Sequence, residues 1–350
     1  MKLTGENNNS TRQAIYGIFM DKILIYKTHD GSGLANRLRA VIGYKALSKC
    51  LGMDFALCWT HDIACLAGAK SLFAENYCRL ISMSELLDHA IHPACLVCEE
   101  SAWFDSLWLK HGKNRFSYEH YLDAIRDELK NIKFVEAVIA EANHYASAWT
   151  LNVLPGIHIR LTDNVFEYQK WSTSAKGSFA MQKTSSLEGF YAVMDEFDKA
   201  GRFFLASDNQ DVTALALERY PDRVLTYDKV FDGKASDFWR NNKAAQTLLS
   251  VPDGREDFGT DKSVCATLRG PITESGFNVR TRTTSIIDAL VELLFLSRCR
   301  EVVGTYYSSF GKCAALLGGI PYSEIQGTKR VFDPMLSGKM KLRCSQFLRT

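Results

Sequence analysis

The sequence predicts an α/β fold built on parallel sheets, and three observations carry that expectation. An apolar strand near the start runs through a Gly-rich turn into a long helix and a second strand; the second half repeats the alternation; and the composition can bury a large core. The chain has 350 residues, of which 46% are hydrophobic, and that length favours two domains over one. Parallel strands joined by helices place their ligand loops at the carboxyl edge of the sheet, so the chemistry is sought at strand ends.

Residues 1–20 are polar and Asn-rich and are expected to be a disordered leader, with Met20 just before the first strand. Lys22 to Lys27 reads as a strand, Thr28 to Gly33 as a tight turn, and Leu34 to Cys50 as a helix with Leu34, Leu38, Val41 and Ile42 on one face. Asp54 to Trp59 is the second strand. From about Ala64 to Ser117 apolar patches and aromatic residues mix without a period, and irregular helices are expected there. Helical patterns at Tyr118 to Leu129 and Lys133 to Trp149 lead to Leu151-Asn152-Val153-Leu154-Pro155, taken as the boundary between an N-terminal domain, 21–150, and a C-terminal one, 151–335, with a tail at 336–350. The second half reads as strand 156–161, helix 186–199, strand 202–206, helix 209–219 and strand 223–226. An apolar helix from Ile286 to Ser297, a strand Glu301 to Thr305 and a helix opening at Tyr306 follow. Residues 163–185 and 251–282 lack periodicity and read as loops over a site.

Lys plus Arg total 42 and Asp plus Glu 40, a net charge of +2, which gives no electrostatic case for nucleic acid or an acidic membrane. Any affinity for anions must be local. The N-terminus has no apolar core of signal-peptide type and no run approaches a membrane span, so a cytoplasmic protein is expected. Ten cysteines are then expected to be reduced thiols in the core. A zinc site from Cys58, His61 and Cys65 with His92, Cys95 and Cys98 is possible on paper, but the spacing is unusual for a knuckle and no metal is expected.

Three strand ends carry polar groups. Gly156-Ile157-His158-Ile159-Arg160-Leu161-Thr162-Asp163 ends an apolar run with His158 and Arg160 on one face and Asp163 in the turn. A planar, permanently charged guanidinium suits a phosphate; the alternative is an Arg–Asp ion pair. Gly31, Gly33, Asn36 and Arg37 stand between a strand and a helix amino end, where free amides and the dipole favour an anion; the alternative is a turn needing positive φ. The run matches neither the dinucleotide-binding nor the Walker pattern. Asp208 follows the apolar strand Phe203 to Ser207 and either serves a ligand or caps the next helix. Asp288 is embedded in an apolar helix and needs a partner, and Ser308 and Ser309 begin another helix as phosphate or ribose contacts or as caps.

In order and β/α placement, the blocks Gly31 to Leu38, His158 to Asp163, Ala206-Ser207-Asp208, and Asp288 to Ser297 with Ser308-Ser309 resemble the fucosyltransferase superfamily of α1,6-fucosyltransferases, the nodulation fucosyltransferase and protein O-fucosyltransferases. The resemblance covers about a fifth of the chain. It implies a GT-B architecture, two Rossmann-like domains facing across a cleft, and inverting, metal-independent transfer of fucose from GDP-fucose to a carbohydrate hydroxyl, with no cofactor beyond the donor. On that pattern Arg160 contacts the diphosphate, His158, Asp163, Asp208, Asp288, Ser308 and Ser309 line the nucleotide pocket, and Gly31, Gly33, Asn36 and Arg37 contribute from the opposite domain. Glu167 is the nearest carboxylate to the position of the relatives' base, displaced by about one residue. Leu161 and Asn164 stand where α1,6-type members have Arg and Lys, and Phe310 where a Gln often follows the Ser pair. These departures keep two alternatives open: a transferase for another nucleotide sugar, or a catalytically silent nucleotide-sugar-binding module.

Overall fold

The computed structural model describes residues 22–30, 32–60, 65, 67–160, 185–197, 201–229, 284–306 and 308–333. Among them two α/β sheets form. The first holds β1 (Ile23–Lys27), β2 (Asp54–Cys58), β3 (Arg79–Leu80) and β4 (Cys95–Cys98) in the order β3-β2-β1-β4, all parallel. The second holds β5 (Pro155–Ile159), β6 (Phe203–Ser207), β7 (Val224–Thr226), β8 (Glu301–Thr305), β9 (Tyr322–Gln326) and β10 (Lys329–Phe332). Its order is β10-β9-β8-β5-β6-β7, parallel except for the edge pair β9 and β10. Counted from β5, that is the doubly wound order 3-2-1-4-5-6, and the first sheet is its 3-2-1-4 portion. The α/β class with parallel sheets is as the sequence predicts.

Strand periodicity divides the interior. In β1, Leu24 and Tyr26 face helix α1 (Leu34–Leu51), while Ile23 and Ile25 join Ala56, Ile81 and Leu86 beneath α2 (Met83–Ala90). In the second sheet Ile157, Ile159, Phe203, Leu205 and Val303 pack under α6 (Leu187–Glu196) and α7 (Gln210–Arg219). Phe204, Ala206 and Val302 face the other way, onto α8 (Ile286–Arg298) and α9 (Ser309–Gly318). This last core is continuous with that around α1, because α1 packs on α9 as well as on α4 (Tyr118–Asn131). Burial on nearly every side explains why α1 lacks the one-sided apolar stripe of a surface helix.

Several boundaries differ from expectation. The segment 64–117, expected as irregular helices, supplies two strands, β3 and β4, with the capped helix α2 between them; short helices, α3 (Phe104–Leu107) and a π-turn at Trp108–Gly112, come after. A two-residue strand shows no period, and β4 is half-buried along most of its length, so neither carries a clear signal. The helix expected from Lys133 starts at Glu136, as α5 (Glu136–Trp149), because Phe134 is bridged to Phe73. Although it precedes the boundary drawn at 150, α5 packs on α8: Tyr145 and Trp149 meet Phe295, and Asn143 accepts from Arg298.

Helices α8 and α9 approach closely at Gly318, where a Cβ would lie 2.0 Å from the Ser297 carbonyl oxygen. Backbone cannot yield cheaply there, so Gly318→Ala is expected to cost on the order of 3 kcal/mol, read as a lower urea midpoint with unchanged slope.

Candidate active site

At the point where the strand order reverses, β5 and β8 are neighbours, yet the elements that follow them pack on opposite faces: α6 on one, α9 on the other. Loops diverging in this way open a crevice at the carboxyl ends. Thr305, the last residue of β8, spans its mouth: its hydroxyl accepts from the Arg160 amide at 2.8 Å and donates to the His158 carbonyl at 3.1 Å. These bonds continue the ladder through a side chain where the strands separate.

His158 and Arg160 lie on the α8/α9 face and border a small cavity of about 40 Å³ together with Ser207, Asp208, Glu292 and Phe310. That is room for a few waters. The His158 ring is stacked on Phe310, 4.8 Å between centroids, and is 6% exposed, with Nδ1 buried and without a hydrogen-bond partner among the described residues. Burial, with Arg160 and Lys229 nearby, lowers its pKa to about 3, so the ring is neutral at physiological pH. Phe310, noted above as a departure, is therefore the stacking surface that fixes His158. Arg160 is mostly buried, its Nε 3.8 Å from Asp208 Oδ2, an Arg–Asp pair at the strand end of the kind expected as the alternative; Asp163 of the following turn lies outside the described residues.

Asp208 does not cap α7. Asn209 does, accepting from Asp211 N at 2.9 Å and Val212 N at 3.1 Å, which leaves Asp208 at the cavity. Asp288 sits in the first turn of α8, 1% exposed, its amide donating to the cap Ser285. The cavity wall from this helix is Ala289 and Glu292, with Thr284 just before it. Ser308 is the buried cap of α9, its hydroxyl accepting from Phe310 N at 3.5 Å, and Ser309 opens the helix half-exposed.

On the first sheet, Gly33 caps α1 in extended conformation, φ −71°, with no side-chain cap bond, so the first-turn amides of α1 keep their anion preference. The positive-φ alternative does not hold at Gly33. Asn36 is half-buried on that turn. Arg37 is a correction: expected to reach the nucleotide, it is fully buried, with Nε donating to the Ser32 carbonyl at 2.7 Å, Nη1 to Thr28 Oγ1 at 3.2 Å and to the Thr60 carbonyl. Its guanidinium staples the ends of β1 and β2 together. Arg39, two residues on, lies 4.0 Å from the Trp103 ring, and Lys312 of α9 lies 4.3 Å from the same ring. The amino-terminal halves of α1 and α9 thus come together around Trp103. Gly31, Asp163 and Glu167 lie outside the described residues.

Sequence reading passed over Lys229 and Glu292. Lys229 is buried, bonded to the Ser207 carbonyl at 2.6 Å and paired with Glu292. Burial pushes the Glu292 carboxyl up to about 7, offset in part by Lys229 and reinforced by Asp288 and Asp208. A signal existed: Glu292 is four residues after Asp288 on the same apolar helix, hence on the same face. Of the cysteines weighed for zinc, Cys58, Cys65 and Cys98 are buried, and among the described residues no group of three His, Cys, Asp or Glu side chains gathers as metal ligands. No described helix is long and apolar enough to cross a membrane.

The structure is similar to those of fucosyltransferases. Fucosyltransferase NodZ from Bradyrhizobium is 13% identical, with a TM-score of 0.47 over 87% of this chain and 96% of that one. A variant of Arabidopsis thaliana FUT1 in complex with GDP is 12% identical, with a TM-score of 0.42 over 91% and 74%. POFUT1 in complex with GDP-fucose is 11% identical, with a TM-score of 0.42 over 88% and 99%. No protein-family model matches the sequence and no curated protein matches it significantly.

Proposed function

We propose that the chain is an inverting, metal-independent glycosyltransferase of GT-B architecture that moves fucose from GDP-fucose to a hydroxyl of a glycan acceptor. The observation that carries this reading is the pairing of Arg160 with the buried, neutral His158 at the strand-order reversal of a doubly wound sheet, where such sheets receive nucleotides. The order of the four sequence blocks supplies the donor class.

In this reading the acceptor oxygen attacks the anomeric carbon as the bond from that carbon to the GDP oxygen breaks, which inverts the centre. The acceptor proton passes to a carboxylate, for which Glu167 is the candidate, or to the departing phosphate. Arg160 offsets the charge growing on the β-phosphate. Its fixed positive charge does there what a divalent ion does in other nucleotide-sugar transferases. His158 keeps one acceptor or donor nitrogen for the nucleotide, and the uncapped amino end of α1 supplies further amide donors from the first domain.

The test is a thermal-shift titration. GDP-fucose at about a hundred times its Kd is expected to add about 2.7 kcal/mol of stability, with the same shift in EDTA and smaller shifts for GDP-mannose and UDP-sugars. Loss of the shift in EDTA would overturn metal independence. Equal shifts from UDP-sugars would overturn the donor, and binding without transfer to any glycan or slow hydrolysis would leave a silent binding module.

A further inference from the structure

The first domain carries a concentration of cations that the transfer reaction does not use. Lys110, His111, Lys113, Asn114 and Arg115 surround a cavity of about 270 Å³, floored by Leu51 at the end of α1 and Leu96 of the edge strand β4. On a chain whose net charge is only +2, three cationic side chains within six residues around one concavity, with a histidine among them, repel one another unless something negative joins them.

The backbone holds them there. The π-turn Trp108–Gly112 is closed by Lys113 N donating to the Trp108 carbonyl at 2.8 Å, and Arg115 N and Phe116 N both donate to the Gly112 carbonyl, at 2.8 and 3.1 Å. Trp108 Nε1 donates across the base to the Phe116 carbonyl at 3.0 Å. Gly112 lets the Phe116 and Trp108 rings close over the turn, since a Cβ there would meet the Phe116 ring at 2.5 Å and Trp108 at 2.9 Å. A solvated basic run on a helix surface has no such closure, whereas π-turns recur at functional sites.

The charges are only partly answered. Lys110 is paired with Glu100, but Lys113 and Arg115 have no ion-pair partner among the described residues. His111, half-buried with its ring 6.4 Å from that of Tyr44, is held below its usual pKa by burial first and then by Lys110 and Arg115, with Glu100 opposing. The groups facing it are therefore Tyr44 from α1, Glu100 after β4, and its own neighbours Lys110 and Arg115.

We propose that this pocket binds a tetrahedral oxyanion, a phosphate or sulfate group, either as the free ion or as an ester on a sugar. The Arg115 fork spans two oxygens, Lys113 acts as a point charge, the Asn114 amide is a neutral donor, and His111 takes up a proton when the anion arrives. The site shares no residue with the Arg160 cavity, so it stands or falls apart from the donor reading.

Titration calorimetry of the full chain with sodium sulfate at low ionic strength tests it, because sulfate does not titrate between about pH 6 and 8 and any pH dependence belongs to the protein. Sulfate is expected to bind more tightly toward pH 6. Replacing the exposed pair, Lys113→Ala with Arg115→Ala, should weaken binding at least about tenfold with an unchanged circular dichroism melt. His111→Gln should flatten the pH profile, and Arg160→Ala should leave sulfate binding intact. An unchanged affinity in the double variant, or its loss in Arg160→Ala, overturns the proposal. N-acetylglucosamine 6-sulfate binding more tightly than inorganic sulfate assigns the pocket to an esterified sugar; equal affinity assigns it to the free ion.

Discussion

Arg160→Ala should lower kcat for fucose transfer from GDP-fucose by about 10²–10³-fold, the cost of removing one preorganised donor from developing charge, while the protein stays folded. Two observations separate activity from stability here. The fold near Arg160 is fixed by its backbone, whose amide donates to Thr305, and alanine keeps that amide. The side chain makes no part of the apolar cores, and its Nε stands 3.8 Å from Asp208 Oδ2, too far for a hydrogen bond. Arg160→Lys should recover only part of the loss, since an ammonium cannot span two phosphate oxygens. Steady-state rates with a matched melting curve decide the matter, and near-normal turnover in a folded Arg160→Ala protein would remove Arg160 from the mechanism.

How much of this was legible in the sequence depends on the kind of signal. Strands buried on both faces write themselves as continuous apolar runs, so β1, β5, β6 and β8 were readable. Their carboxyl ends were readable too, because a polar residue after such a run has few structural reasons to be there; His158, Arg160 and Asp208 were found that way and do share a cavity. Failures came where the deciding information is not local. Strand β4 exists because β1 offers it an edge, not because Cys95 to Cys98 has a period of its own. Arg37 looks like a ligand for phosphate in the sequence, yet its donors are taken by carbonyls of residues 32 and 60 that only the closed loop brings together. Helix starts were also misplaced by tertiary contact: Tyr306 and Lys133 were read as helical, and the helices begin at Ser309 and Glu136. The buried pair Lys229 and Glu292 joins residues 63 apart in the chain, and no single segment announces it.

Lys229→Met should be the most damaging single change outside the catalytic groups, and its damage should depend on pH. Methionine fills the volume but strips the ammonium from Glu292 and from the Ser207 carbonyl, which Lys229 holds at 2.6 Å. Breaking a buried pair from one side costs about 3–5 kcal/mol, a large share of the stability of an ordinary domain. Glu292 sets the pH window. Its folded pKa of about 7 lies above the ordinary carboxylate value of 4.5, so its protonated form contributes stability that is complete below 4.5 and is lost as the pH rises through 7. Lys229 pulls that folded pKa down; without it the carboxyl rises further and the decline with pH steepens. Urea unfolding of Lys229→Met should therefore show the full loss near pH 8 and a clearly smaller one near pH 5, where Glu292 is already neutral. Adding Glu292→Gln should restore stability mainly at the higher pH. Equal losses at both values would mean that the ammonium acts through the Ser207 carbonyl alone. In that case Lys229 serves to pin the end of β6, and with it the backbone that carries Asp208 into the cavity with Arg160.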